Sequence, residues 1–232
     1  MSLKLSSNDK EFQVLPEGNH LGVCYKIIDQ GSRNETYPRD AEPNSENTKK
    51  RKTINVTWEV PKQEMDDGRP MSISKTYTAS LNENATLYKD LVTWRGKSFT
   101  KEELEGFDLE KMIGAPADLE VEHSKDGKAR IKAIFKPDNF KKTATINAGI
   151  IFDLDIYCQE FSDDSTDETK AMCDIFDGLP EWQQNLIEES FELQAAKATG
   201  TSFETDQPAS SGLADLAKDE PTKEVTEDDI PF

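Results

Sequence analysis

The sequence predicts a mainly β protein: a five-stranded barrel with a helix between strands three and four, then a C-terminal helical segment and a disordered acidic tail. Three observations predict it. Short runs in which apolar and polar residues alternate recur before residue 137. One run of helical period interrupts them. The last stretch has almost no large apolar side chains. A period of two places every second side chain on one face of a strand, whereas apolar residues three and four apart make one stripe on a helix.

The elements follow in order. From Gly18, the residues Leu21, Val23, Tyr25 and Ile27 alternate with Gly22, Cys24, Lys26 and Ile28, the pattern of a half-buried strand. Asp29 to Lys52 carries Gly31, Pro38, Pro43 and many polar residues, which reads as a long loop. Thr53 to Val60 is a second strand, with Ile54, Val56, Trp58 and Val60 on one side and Asn55, Thr57 and Glu59 on the other. After a turn at Asp67-Gly68, Met71 to Leu81 reads as a third strand and completes a hairpin. Leu87, Leu91 and Trp94 then recur at helical spacing until Gly96, and Ser98 to Gly114 reads as further short helical turns. Leu119 to His123 and Lys128 to Lys136 form a hairpin across Lys125-Asp126-Gly127, with Ile131, Ala133 and Phe135 pointing one way and Arg130, Lys132 and Lys136 the other.

Strand, long loop, strand, strand, helix, strand, strand is the order of an OB barrel. Ile146 to Tyr157 has strand character and is expected to add an edge. Asp167 to Phe176 and Glu181 to Ala198 read as two helices split at Gly178-Leu179-Pro180. The expected organisation is a nucleic-acid-binding core over 1–142, an accessory strand and helical extension over 143–198, and a disordered tail over 199–232.

Charge divides the chain in the same way. The net charge is −18, yet residues 1–142 hold 24 basic and 24 acidic side chains, while residues 143–232 hold 4 basic and 22 acidic ones. The body is therefore free to present a basic face although the whole protein is acidic. Cys24, Cys158 and Cys173 are three and far apart, without a Cys-x-x-Cys pair, so they read as small buried residues in a reducing compartment. The sequence has neither a signal-peptide core nor a run of roughly 20 apolar residues. A cytoplasmic location is expected, with no membrane partner.

An OB barrel holds single strands on its second and third strands and on the loops after strands one and four. Those positions carry Tyr37, Arg39 and the run Lys49-Lys50-Arg51-Lys52, then Lys75 and Tyr77, then Arg130 and Lys132. Lys50, Arg51, Lys52, Lys75, Arg130 and Lys132 are the expected phosphate contacts, since neutralising phosphates releases counterions. Tyr37 and Tyr77 are the stacking candidates, although Tyr77 shares its strand parity with Ile73 and also reads as core. Trp58 and Trp94 lie on apolar stripes and read as packing. The run Lys49 to Lys52 has a plainer reading as a solvated loop. Catalysis finds little support: His20 and His123 are the only histidines, and no phosphate loop appears. Asp153-Leu154-Asp155 alone suggests a carboxylate pair for Mg²⁺ and a metal-dependent nuclease, within a region that is acidic throughout. No enzyme activity, metal or cofactor is expected.

The chain closes on Asp228-Asp229-Ile230-Pro231-Phe232, where aspartates offer long-range attraction and Phe232 offers an aromatic anchor beside a carboxylate. This tip resembles that of bacterial single-stranded DNA-binding proteins, which implies docking of replication, recombination or repair enzymes. Leu91 to Phe99, Asp108 to Gly114 and Asp177 to Trp182 resemble a group of phage replication-module proteins, and their motifs mark packing positions. Together these resemblances imply a phage-encoded OB-type protein that coats single-stranded DNA and acts in the host cytoplasm. A homo-oligomer stays open as a partner, because a helical segment stands here where the bacterial proteins have a Gly- and Gln-rich linker, and their oligomeric state does not carry over. An alternative function is that of an acidic decoy that occupies host repair enzymes.

Overall fold

The computed structural model describes residues 13–36, 48–138, 145–161 and 166–199. Six strands form one sheet: β1 Gly18–Thr36, β2 Thr48–Glu64, β3 Pro70–Thr78, β4 Pro116–His123, β5 Ala129–Phe135 and β6 Ile150–Phe152. The order is β3-β2-β1-β4-β5, antiparallel throughout, with β6 added to β1 in parallel. β1 spends its first third on β4 and its remainder on β2, while β6 runs beside Lys26 to Ile28 past the point where β4 leaves. Edge strands β3 and β5 approach one another but share no ladder, so the sheet is open.

Helix α1, Thr86–Arg95, spans the space between β3 and β5, and buries Leu87, Leu91 and Trp94 along one stripe. It ends at Gly96, whose φ of 70° supplies the left-handed cap. The short α2, Lys101–Glu105, begins in a capping box built by Thr100 and Glu103. Arg95 lies wholly buried behind it, paired with Glu103 and stacked 4.4 Å from the Phe99 ring centroid. A 3₁₀ turn, Leu109–Met112, follows. Leu91, Trp94, Arg95 and Met112 are each at most 1% exposed, so these two sequence motifs are packing devices.

Two hydrophobic clusters lie on opposite faces of the sheet. The first collects Cys24, Ile27, Ile54, Val56, Trp58, Tyr77, Leu119 and Ile134 under α1. Trp58 and Trp94 meet there with ring centroids 5.5 Å apart, and the Trp94 Nε1–H donates to the Pro116 carbonyl at 2.7 Å. The second collects Ile28 from the opposite face of β1 with residues of the C-terminal segment: Phe152, Leu154, Ile187, Leu193 and Ala196. These belong to β6 and to helices α3 Leu154–Cys158, α5 Glu181–Glu188 and α6 Phe191–Thr199, and α4 Asp167–Asp177 packs Met172, Ile175 and Phe176 against them. The helical segment therefore packs on the sheet.

Five expectations need correction. Asp29 to Lys52 is not simply a loop: Ser32 to Thr36 pair with Thr48 to Lys52, so the first hairpin extends as a two-stranded arm. The ladder uses backbone groups, which polar side chains leave free to pair. The barrel does not close. Ile146 to Tyr157 is mostly not strand: only Ile150–Phe152 pairs, and Asp153 then caps α3, its Oδ1 accepting from the amides of Asp155 and Ile156 at 2.8 and 3.1 Å. The register between β4 and β5 shifts between Glu120 and Val121, so Ile131 and Ile134 both face the core and Phe135 is 48% exposed. The last helix breaks at Ser190, whose Oγ accepts from the Leu193 amide.

Candidate nucleic-acid interface

The predicted cations fall into three places. Lys50, Arg51 and Lys52 lie on the β2 half of the arm, in register with Asn34, Arg33 and Ser32 of β1. Residues 29–36 and 48–53, the described arm and its root, hold five cations against two carboxylates, Asp29 and Glu35, in a chain that is strongly acidic overall. Lys49 and Lys50 are exposed and Arg51 half-buried. Lys50 and Lys52 reach the C-terminal layer through Glu192 and Asp155, and Arg33, in register with Arg51, reaches it through the Leu186 carbonyl.

Lys52 is committed within the fold. Its Nζ sits 2.8 Å from Asp29 Oδ2 and 3.5 Å from Asp155 Oδ2, bridging the arm root to α3. Burial opposes the lysine charge, but Asp29 and Asp155 outweigh it and raise its pKa above the ordinary value. Burial pushes Asp29 up to about 6 against the pull of Lys52, and lifts Asp155 as well. Both ions of the Lys52–Asp29 pair are therefore present at pH 7. Its neighbour Lys50 remains available: its side chain is 60% exposed, and its ammonium lies 3.8 Å from Glu192 Oε1 and 5.3 Å from the Phe191 ring centroid. Glu192 Oε2 also accepts the Ser32 amide at 2.8 Å, which fastens α6 to the arm. Burial works against the Glu192 charge, but that hydrogen bond holds its carboxyl below the usual range. Arg33 donates to the carbonyls of Gln30 and Leu186 and to Thr53 Oγ1, so its charge is met by neutral oxygens.

Lys75 and Tyr77 turn toward α1. The Lys75 Nζ and the Tyr77 hydroxyl both reach Asp90 Oδ2, at 2.7 and 2.9 Å. Tyr77 is 4% exposed, so no ring face is open to a base, and the core reading of this residue is the one that holds. Burial and the adjacent Asp90 carboxylate raise its hydroxyl pKa well above the tyrosine norm.

Arg130 and Lys132 lie on β5, exposed, beyond the opposite end of β1 from the arm. Lys132 pairs with Glu120 at 2.6 Å. They do not join the arm cations in one track. Tyr37, Arg39 and the tip residues Asp228, Asp229, Ile230, Pro231 and Phe232 lie outside the described residues.

The outer face of β2, where a single strand is expected on an OB barrel, is largely covered. Asn55, Thr57 and Glu59 are at most 5% exposed. Asn55 accepts from Gln183 Nε2 of α5 at 3.3 Å and donates to Thr76 at 3.0 Å. Glu59 accepts from the amides of Ile146 and Asn147 and from Asn147 Nδ2, at 2.7 to 2.9 Å. On β3, Ser72, Ser74 and Thr76 stay exposed.

Sequence reasoning missed two arm-side features. Arg33 joins the cations only because the arm forms. Phe191 reads as one more apolar position of a continuous helix, whereas the break at Ser190 leaves it 36% exposed beside Lys50. The serine cap was the available signal. Asp153 and Asp155, weighed as a metal pair, serve as a helix cap and a lysine partner. Among the described residues no group of three His, Cys, Asp or Glu side chains is placed to hold a metal ion, and no helix is long and apolar enough to cross a membrane. No protein-family model matches this chain, and no curated protein sequence matches it.

Proposed function

We propose that the protein binds single-stranded DNA without cutting it, as a coating protein of replication or recombination, and recruits enzymes through Asp228 to Phe232. The observation that carries this reading is the cationic arm. A chain of net charge −18 concentrates Arg33, Lys49, Lys50 and Arg51 on the β1–β2 arm, where none of the four is buried. Phosphates are the ligand such a surface attracts, and steering by the arm is long-ranged at low salt. The strand order, with β1 shared between β2 and β4 and α1 between β3 and β4, supports an OB-type ancestry in which the closing ladder is missing. Because the C-terminal helices occupy the outer face of β2, the DNA path runs along the arm and the open face of β3.

The test is fluorescence anisotropy of a labelled poly-dT oligonucleotide against a matched duplex at two salt concentrations. Salt-sensitive binding that favours the single strand is expected. Replacing Lys49, Lys50 and Arg51 together by alanine, with Lys52 left to hold Asp29, should reduce the log–log salt slope by about 2. No binding by the intact protein at either salt would overturn the reading and favour the acidic decoy, whose charge lies in residues 143–232.

A further inference from the structure

We propose that Phe191 is a base-stacking platform, and that the interface for single strands therefore extends from the arm onto the C-terminal helical layer. The inference rests on the single-stranded DNA reading above and assigns a residue to it.

Phe191 opens α6 in an unusual way. The apolar residues that follow it, Leu193 and Ala196, are fully buried in the second cluster. Phe191 instead keeps 36% of its surface in solvent. Its backbone is nevertheless anchored on both sides. Ser190, itself fully buried, accepts from the Leu193 amide through Oγ at 3.3 Å and from the Gln194 amide through its carbonyl at 3.1 Å. Glu192, 7% exposed, is tied to the Ser32 amide at 2.8 Å. With the backbone already anchored, only the ring's own side-chain freedom is lost when a base lands on it, so much of the stacking energy appears as affinity.

The second observation is the cation. Lys50 Nζ stands 5.3 Å from the ring centroid and 3.8 Å from Glu192 Oε1, on a side chain that is 60% exposed. A solvent-facing lysine shared loosely between a ring and a carboxylate can turn to a phosphate without unfolding anything. Ring and ammonium then meet the two halves of one nucleotide, the flat base and the charged linkage. The remaining carboxylate is already engaged, since Glu192 accepts the Ser32 amide through its other oxygen. A lone exposed phenylalanine carries no message. One on anchored backbone beside an exposed lysine of a cationic arm does.

Phe191→Leu keeps the apolar volume and removes the π-face. It should weaken poly-dT binding about 5- to 30-fold and leave the salt slope unchanged, because stacking releases no counterions. Phe191→Tyr keeps the face and should bind like the parent protein. Lys50→Ala should instead lower the slope by about 0.7. Crosslinking of a 5-iodouracil-substituted oligonucleotide should map to the peptide containing Phe191. Thermal unfolding of both Phe191 variants should match the parent, which excludes a folding defect. If the parent binds poly-dT and Phe191→Leu binds equally well, or the crosslink maps elsewhere, the platform is wrong while the function stands. If the parent does not bind at all, the function fails and takes the platform with it.

Discussion

The two faces of the β1–β2 hairpin are both buried, but by different chemistry. Thr53 to Val60 are buried without interruption, four side chains to each face. One face gives Ile54, Val56, Trp58 and Val60 to a cluster of aliphatic and aromatic side chains under α1. The other gives Thr53, Asn55, Thr57 and Glu59 to a polar seam beneath the C-terminal segment, closed by Arg33, Gln30, Gln183 and Asn147. Beside that seam lies the Lys52–Asp29–Asp155 cluster. Removing apolar area from water is favourable at any spacing, whereas a polar seam contributes only when its donors and acceptors are matched. The first face therefore supplies stability and the second supplies a position for the helical layer that carries Phe191.

The largest effect should come from the dry face. Trp58→Ala, at a fully buried residue packed on Trp94, should cost about 3–5 kcal/mol in chemical denaturation. It should also release the C-terminal layer, which rests on the same sheet. A transition in which that layer stays protected would show that the second cluster stands by itself.

Gly31 lets the comparison be broken from the other side. Its φ is 69°, and a Cβ there would lie 2.4 Å from Ser190 Cβ and 2.6 Å from Leu154 Cδ2. Gly31→Ala should cost about 2–4 kcal/mol, through a left-handed backbone and a collision with the helical layer. The thiols report which side yields. Burial pushes Cys158 up to about 12 and raises Cys24 further still, so neither reacts readily in the native state. In Gly31→Ala, maleimide labelling of Cys158 should accelerate while Cys24 stays protected. Equal acceleration at both would mean that the two layers open as one unit.

A smaller, pH-dependent effect is expected at the seam. Lys52→Met leaves Asp29 buried without its cation and should cost about 1–3 kcal/mol at pH 8. Asp29 already has a raised folded-state pKa of about 6, and losing Lys52 raises it more. A carboxylate shifted upward destabilises the native state once pH exceeds its unfolded pKa, and the penalty grows until the folded pKa is passed. The cost should therefore be smaller at pH 5, where Asp29 takes up a proton. Urea denaturation at the two pH values checks it, and equal costs would show that Asp29 is not the group left stranded. Least of all, Trp182→Ala, 52% exposed, should change stability by under about 0.5 kcal/mol.

Much of this molecule was legible in its sequence. Period-two alternation located the strands and helical spacing located α1, because a side chain's direction follows from backbone geometry alone. The core roles of Trp58 and Trp94 followed from the same parity. Local chemistry also marked the end of α1 at Gly96 and the turn at Gly127. What the sequence could not decide was what lies against each polar surface. Asn55, Thr57 and Glu59 could be placed on one side of a strand but not given partners, because Gln183 and Asn147 are about 90 to 130 positions away. Lys52 read as a free cation because Asp155 reaches it only when α3 docks on the arm. The bulge at β5 turned Phe135 outward, against the alternation that placed it with Ile131. Local propensity and period are properties of neighbouring residues, so one chain displays them. Whether a polar group meets water or a matched partner is a property of the tertiary arrangement, and only the fold settles it.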